Sequence, residues 1–138
     1  MGKDFLADIP NNRFVMGKGL VSLASNGTYD AFGIEPAPGN CTIVSAFFVP
    51  SASQAGSATN YFDLKILDLS TDGSGTTVLA SKTLSASTTS IAANAAGSMA
   101  ITDSNSVTAL NVIGVSAVKA GNGIARVAGE VVVWYRLL

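Results

Sequence analysis

Nowhere in this chain do apolar residues recur at i, i+3, i+4 and i+7 over three turns without a Gly or a β-branched interruption. A helix reaches a core only by presenting an apolar stripe at that spacing, so long amphipathic helices are excluded. The chain offers short stretches instead, either alternating with period two or apolar on both sides, separated by turn residues. Such segments bury their apolar faces by forming sheets. The expected class is therefore all-β, an antiparallel β-sandwich or barrel of about eight to ten short strands. A length of 138 residues fits one domain, and 48% hydrophobic residues supply a core without disulfide or metal.

Individual segments sharpen the expectation. Leu20 to Ala24 (LVSLA) reads as a short strand, Asn26-Gly27 as a hairpin turn and Thr28 to Ile34 as the returning strand. Pro36 to Asn40 is a loop. Cys41 to Pro50 (CTIVSAFFVP) reads as a central strand, with Ile43, Ser45, Phe47 and Val49 on one face and Val44, Ala46 and Phe48 on the other. Asn60 to Leu69 alternates, with Phe62, Leu64 and Ile66 inward and Asp63 and Lys65 outward. Its apolar parity then switches to Leu67 and Leu69, which predicts a β-bulge or a passage between two sheets. Thr71 to Gly75 is a turn and Thr76 to Leu84 a further strand. Ser85 to Ser98 is low in complexity, with room for a short strand around Thr89 to Ala92. Ser98 to Thr102 is a weak strand, and Val107 to Val118 a strand apolar on both faces. Ala120 to Gly123 (AGNG) is a second hairpin signal. Ile124 to Leu138 reads as a long closing strand, with Val131, Val133 and Tyr135 on one face and Glu130, Val132, Trp134 and Arg136 on the other.

The first 19 residues differ. They carry Lys3, Asp4, Asp8, Arg13 and Lys18, five of the chain's 17 charges, and are broken by Pro10-Asn11-Asn12. Without clean periodicity they read as an extended N-terminal arm, residues 1–19, ahead of one sandwich domain, residues 20–138. The start of the chain lacks the apolar core of a secretory signal, and no apolar run reaches the ~18 residues of a membrane span. Export by the general route and membrane insertion are therefore not expected.

Composition removes most chemistry. The chain has no His and one Cys, so Ser-His-Asp triads, Cys-His pairs, imidazole zinc sites and internal disulfides are excluded. Eight basic against nine acidic residues, without a basic block, argue against nucleic-acid binding. Gly73-Ser74-Gly75 lacks the third Gly and the helix of a dinucleotide fingerprint and is read as a turn. Asp68 and Asp72 resemble part of a calcium loop, but the position for the closing Glu holds Leu79. The pairs Asp63/Asp68 and Asp30/Glu35 are carboxylates of the glycosidase kind, read here as solvated edges and turns. Asn26-Gly27-Thr28 and Asn40-Cys41-Thr42 fit the glycosylation pattern and are read as turn chemistry. Cys41, opening an apolar strand, is expected to be buried and inert. No enzyme, metal or cofactor is expected.

Three adjacent aromatic pairs, Phe47-Phe48, Tyr61-Phe62 and Trp134-Tyr135, must each point one ring away from the local core. Those outward rings cover a second face or sit in a subunit interface.

From Cys41 onward the chain resembles the head decoration, or cement, proteins of tailed bacteriophages. The resemblance lies in Val44 to Ala52, in ATNYFDLKILDLSTDGSGTTVLAS (Ala58 to Ser81) and in GEVVVWYRL (Gly129 to Leu137). It implies a jelly-roll-like β-sandwich made in the host cytoplasm and carried on the outer capsid surface of the virion. It further implies a homotrimer that bridges neighbouring major capsid subunits and stabilises the head. The arm would then reach a partner, with Phe5, Leu6, Ile9, Arg13 and Phe14 as contact residues. The competing expectation is a head or tail fibre module that binds host glycan or surface protein through loops, with Asp72 and Asn122 among the residues to test.

Overall fold

A computed structural model describes residues 13–24 and 31–138. Ten strands form two antiparallel sheets packed face to face. They are β1 (Arg13–Leu20), β2 (Phe32–Pro36), β3 (Cys41–Pro50), β4 (Tyr61–Asp68), β5 (Thr77–Thr83), β6 (Gly97–Ser98), β7 (Ala100–Ile101), β8 (Ser106–Val107), β9 (Val112–Ala120) and β10 (Gly129–Leu137). The first sheet runs β1-β10-β3-β6, with β8 also on β3; the second runs β2-β9-β4-β5-β7. Successive strands alternate between the sheets except at the β4–β5 hairpin, and the first and last strands pair. This order is that of a jelly roll. The all-β, sandwich and jelly-roll expectations hold.

The core lies between the sheets. Ile43, Ala46, Phe48, Val131, Val133 and Tyr135 meet Phe62, Leu64, Ile66, Leu79, Ile113 and Val115 there, all buried. In β10 the buried side is Val131, Val133 and Tyr135, as alternation predicts. In β4 the inward residues are likewise Phe62, Leu64 and Ile66, and burial switches parity to Leu67. The register against β5 shifts there: Ile66 faces Ala80 and Leu67 faces Val78, so the extra residue is Leu79 of β5. Leu69, beyond the strand, packs over Gly114, where an added Cβ would collide with Leu69 Cδ1.

Several local expectations give way to pairing. β3 has the expected span, but its faces do not persist along its length. Trp134 faces Ser45 and Tyr135 faces Ile43, so a bulge moves the buried side from Cys41 and Ile43 to Ala46 and Phe48. The predicted arm also changes. Arg13 to Gly19 form most of β1, paired residue for residue with β10 from Arg136 to Glu130. Phe14, Met16 and Leu20 turn toward the core, but exposed Lys18 interrupts the series, which hides the alternation.

The expected strand Leu20–Ala24 contributes its first residue to β1 and a single bridge, Leu23 to Arg126. The Asn26-Gly27 turn lies outside the described residues. The strands flanking it belong to different sheets, so they form no hairpin with each other. Ala120–Gly123 is a turn with Gly121 and Gly123 at positive φ, yet it also passes the chain from one sheet to the other. The closing strand begins at Gly129 rather than Ile124. Residues Ser87–Thr89 form a single 3-10 turn, and beyond it Ile91 only bridges Gln54. The weak strand at 98–102 is two strands: β6 joins β3 and β7 joins β5, with buried Met99 at the crossing.

A buried Gln holds three loops together. Gln54 is 0% exposed. Its Nε2 donates to the Ala125 carbonyl at 3.0 Å and the Ala55 carbonyl at 3.1 Å, and its Oε1 accepts from Val127 N–H at 3.0 Å. Its backbone exchanges hydrogen bonds with Ile91 at 2.8 and 2.9 Å.

Candidate functional site: the outer face of the β1–β10–β3 sheet

The side of this sheet away from the core is assembled by register. Across the strands, Val15 lies beside Trp134 and Trp134 beside Ser45; Gly17 lies beside Val132 and Val132 beside Phe47; Gly19 lies beside Glu130 and Glu130 beside Val49. Trp134 is 40% exposed and Val15 53% exposed. Val132, Phe47 and Val49 are partly exposed around them. The sheet thus presents an aromatic and aliphatic centre to solvent, the composition expected at the middle of a protein–protein interface. β1 adds little bulk to it. An added Cβ at Gly17 would lie 2.7 Å from Glu130 Oε1, because the Glu130 carboxylate reaches across that position.

Charge is segregated along the strands. Arg13 and Arg136 stand directly opposite each other at one end, and both are exposed. Like charges facing each other across a ladder are unfavourable, and among the described residues neither guanidinium has a carboxylate partner. Glu130 stands at the other end, six residues along β10 from Arg136, about 20 Å at strand rise.

The sequence required one ring of Trp134-Tyr135 to face out without saying which, and it did not join Trp134 to Val15, because residues 1–19 were read as an arm. All three aromatic pairs divide as expected: Phe48, Phe62 and Tyr135 are buried, while Phe47, Tyr61 and Trp134 are more exposed. Only Phe47 and Trp134 share this face; Tyr61 is in the other sheet. Of the predicted contact residues, Phe5, Leu6 and Ile9 lie outside the described residues. Arg13 is on the outer face. Phe14 is partly buried: its ring packs against the core and stacks on Tyr135 with centroids 5.7 Å apart.

Two of the carboxylates singled out by sequence, Asp68 and Asp72, hold turns and loops in place. Asp68 accepts from Ser70 N–H at 2.8 Å and from Asn111 Nδ2 at 3.0 Å. Asp72 accepts from the Ser74 N–H and hydroxyl at 3.0 and 2.7 Å, which lowers its pKa and closes the turn around Gly73. Asp63 and Asp68 are five residues apart on one strand, about 16 Å, wider than the roughly 5–9.5 Å of a glycosidase pair. Asp30 lies outside the described residues. Among the described residues no group of three His, Cys, Asp or Glu could hold a metal ion. Cys41 is buried, and desolvation, then the nearby Asp68 charge, pushes its thiol pKa up. Asn40 Oδ1 accepts from Ala109 N–H at 2.9 Å, a structural use of that side chain. Asn122 gives its backbone N–H to Asn60 Oδ1 at 3.0 Å within the exposed AGNG turn.

Comparison with known protein families, with curated proteins and with solved structures returned no match for this chain.

Proposed function

We propose that this chain is a structural virion protein. It binds the outside of a phage capsid, bridges neighbouring major capsid subunits and stabilises the head, without catalysis. The observation that carries this reading is the solvent-facing aromatic and aliphatic surface of the β1–β10–β3 sheet, which marks the chain as a unit of a larger protein assembly, whichever protein covers it. It is a protein-binding surface displayed on a two-sheet scaffold. Jelly rolls recur among viral capsid proteins and lectins, which is support by analogy of fold. A protein that binds only the assembled shell stabilises that shell by mass action. Many copies on one particle multiply a small gain per contact.

The test is cosedimentation of the purified protein with undecorated heads, followed by heating of the particles. Saturable binding that raises the temperature of head rupture is expected. Absence of binding refutes the proposal, and binding to a glycan array in its place would assign the chain to the fibre reading. The contribution of Phe5, Leu6 and Ile9 is tested by changing all three to Ala, with weaker head binding as the expected result.

A further inference from the structure

The outer face of the β1–β10–β3 sheet carries enough information to name what covers it. The reasoning rests on the reading above that this face binds protein. Edge-to-edge association is disfavoured first. β1 is an edge strand, and its Lys18 points into the seam between the sheets, with Nζ 5.9 Å from the Phe32 ring centroid. An inward Lys on an edge strand opposes strand addition there. The edge of the second sheet, β2, is short and carries Glu35 and Pro36, which blunt it in the same way. The face remains.

Its charges are self-complementary in one orientation only. Two copies stacked with strands parallel would bring the arginine ends of both copies together. Two copies stacked about a two-fold axis perpendicular to the strands bring the arginine end of each over Glu130 of the other. The axis then passes near Val133, midway between Glu130 and Arg136. Trp134 of one copy falls over Val132 and Phe47 of the second. The same patch serves both copies, as an isologous contact requires. The opposed Arg13–Arg136 pair, unfavourable in the isolated chain, gains an anion from the second copy.

We propose that this face is a homodimer interface, formed by antiparallel stacking of the β1–β10–β3 sheets of two copies. The contact closes at two copies and is not the three-fold contact that the resemblance implies. A pair presents two identical outer surfaces to the capsid, a direct means of bridging.

The test is sedimentation velocity of the full chain across concentration, with circular dichroism and melting as folding controls. A dimer is expected. Trp134→Ala should weaken it about 30-fold, as loss of a central aromatic anchor does. Glu130→Arg and Arg136→Glu should each weaken it about tenfold. An equimolar mixture of the two variants should restore dimerisation, because each protomer then meets opposite charge at both ends. Within one chain these residues are too far apart to compensate, so rescue reports contact between copies. A monomer at high concentration, a trimer indifferent to these changes, or a mixture without rescue would overturn the proposal. The two readings fail separately. A wild-type dimer that ignores heads refutes the virion function alone. A monomer that binds heads and loses them with Trp134→Ala refutes the dimer alone and gives the face to the capsid.

Discussion

Gln54→Ala should be the most informative single change to the scaffold. The side chain is 0% exposed and makes hydrogen bonds to Ala125, Ala55 and Val127. Each is worth about 1 kcal/mol net, and the lost methylene adds about 0.8 kcal/mol. The sum is about 4 kcal/mol. For a domain between the small and middle size classes, each kcal/mol moves Tm by roughly 3–4 °C. The expected fall is therefore about 12–16 °C. The assay is thermal unfolding followed by circular dichroism, with urea unfolding to give the free energy. Gln54→Glu adds a control on mechanism. Its oxygen still accepts from Val127 N–H, but an ionised carboxylate cannot donate to the Ala125 carbonyl. It should be at least as damaging at pH 7 and recover partly at pH 5, where a buried carboxyl takes up a proton and donates again. A melting temperature within about 2 °C of wild type for Gln54→Ala would refute the reasoning. So would a Gln54→Glu variant indifferent to pH.

Deleting residues 1–19 should destabilise the domain by at least about 3 kcal/mol, because it strips Phe14 and Met16 from the core and uncovers Tyr135; deleting residues 2–12 spares β1, and urea unfolding of both separates a strand from an arm. Gly114→Val should cost roughly 1–3 kcal/mol by overpacking against Leu69 and the Phe32 carbonyl, read by the same unfolding curves. Cys41 should resist a thiol reagent in the native state and react fully in denaturant. Burial raises its pKa above the usual 9.0, so the stability tied to the neutral thiol is present below pH 9.0 and declines as pH rises through the higher folded value. Asp72 has the opposite sign. Its pKa is lowered from 3.8 by Ser74, so its contribution is present above that pH and is lost as pH falls toward the folded value. Asp72→Asn should flatten that acid limb of the stability profile.

The sequence by itself determined the class of fold, because period-two alternation can be buried only in a sheet. It determined which residues of β10 share a face, Val131 with Val133 and Tyr135 against Glu130, Val132, Trp134 and Arg136, while burial in the fold chose the inward side. It marked the parity switch after Ile66 and required one ring of each aromatic pair to face out. What it could not determine was pairing. The AGNG turn reads as a hairpin because its glycines favour positive φ, but whether the next strand returns to the same sheet depends on which edge offers a partner. Gln54 gave no signal among small loop residues, since apart from Ala55 its side-chain partners, Ala125 and Val127, lie more than 70 residues along the chain. The candidate site was hidden for the same reason. One ring of Trp134-Tyr135 had to face out, but that it is Trp134, and that Val15 and Arg13 join it, follows only from the tertiary pairing that lays β1 along β10. Lys18 and the two outward glycines had masked that strand's alternation. Local alternation is a property of neighbouring residues and is written in the sequence. A surface is a property of register between distant strands, and the core decides it by choosing the pairing that buries both faces.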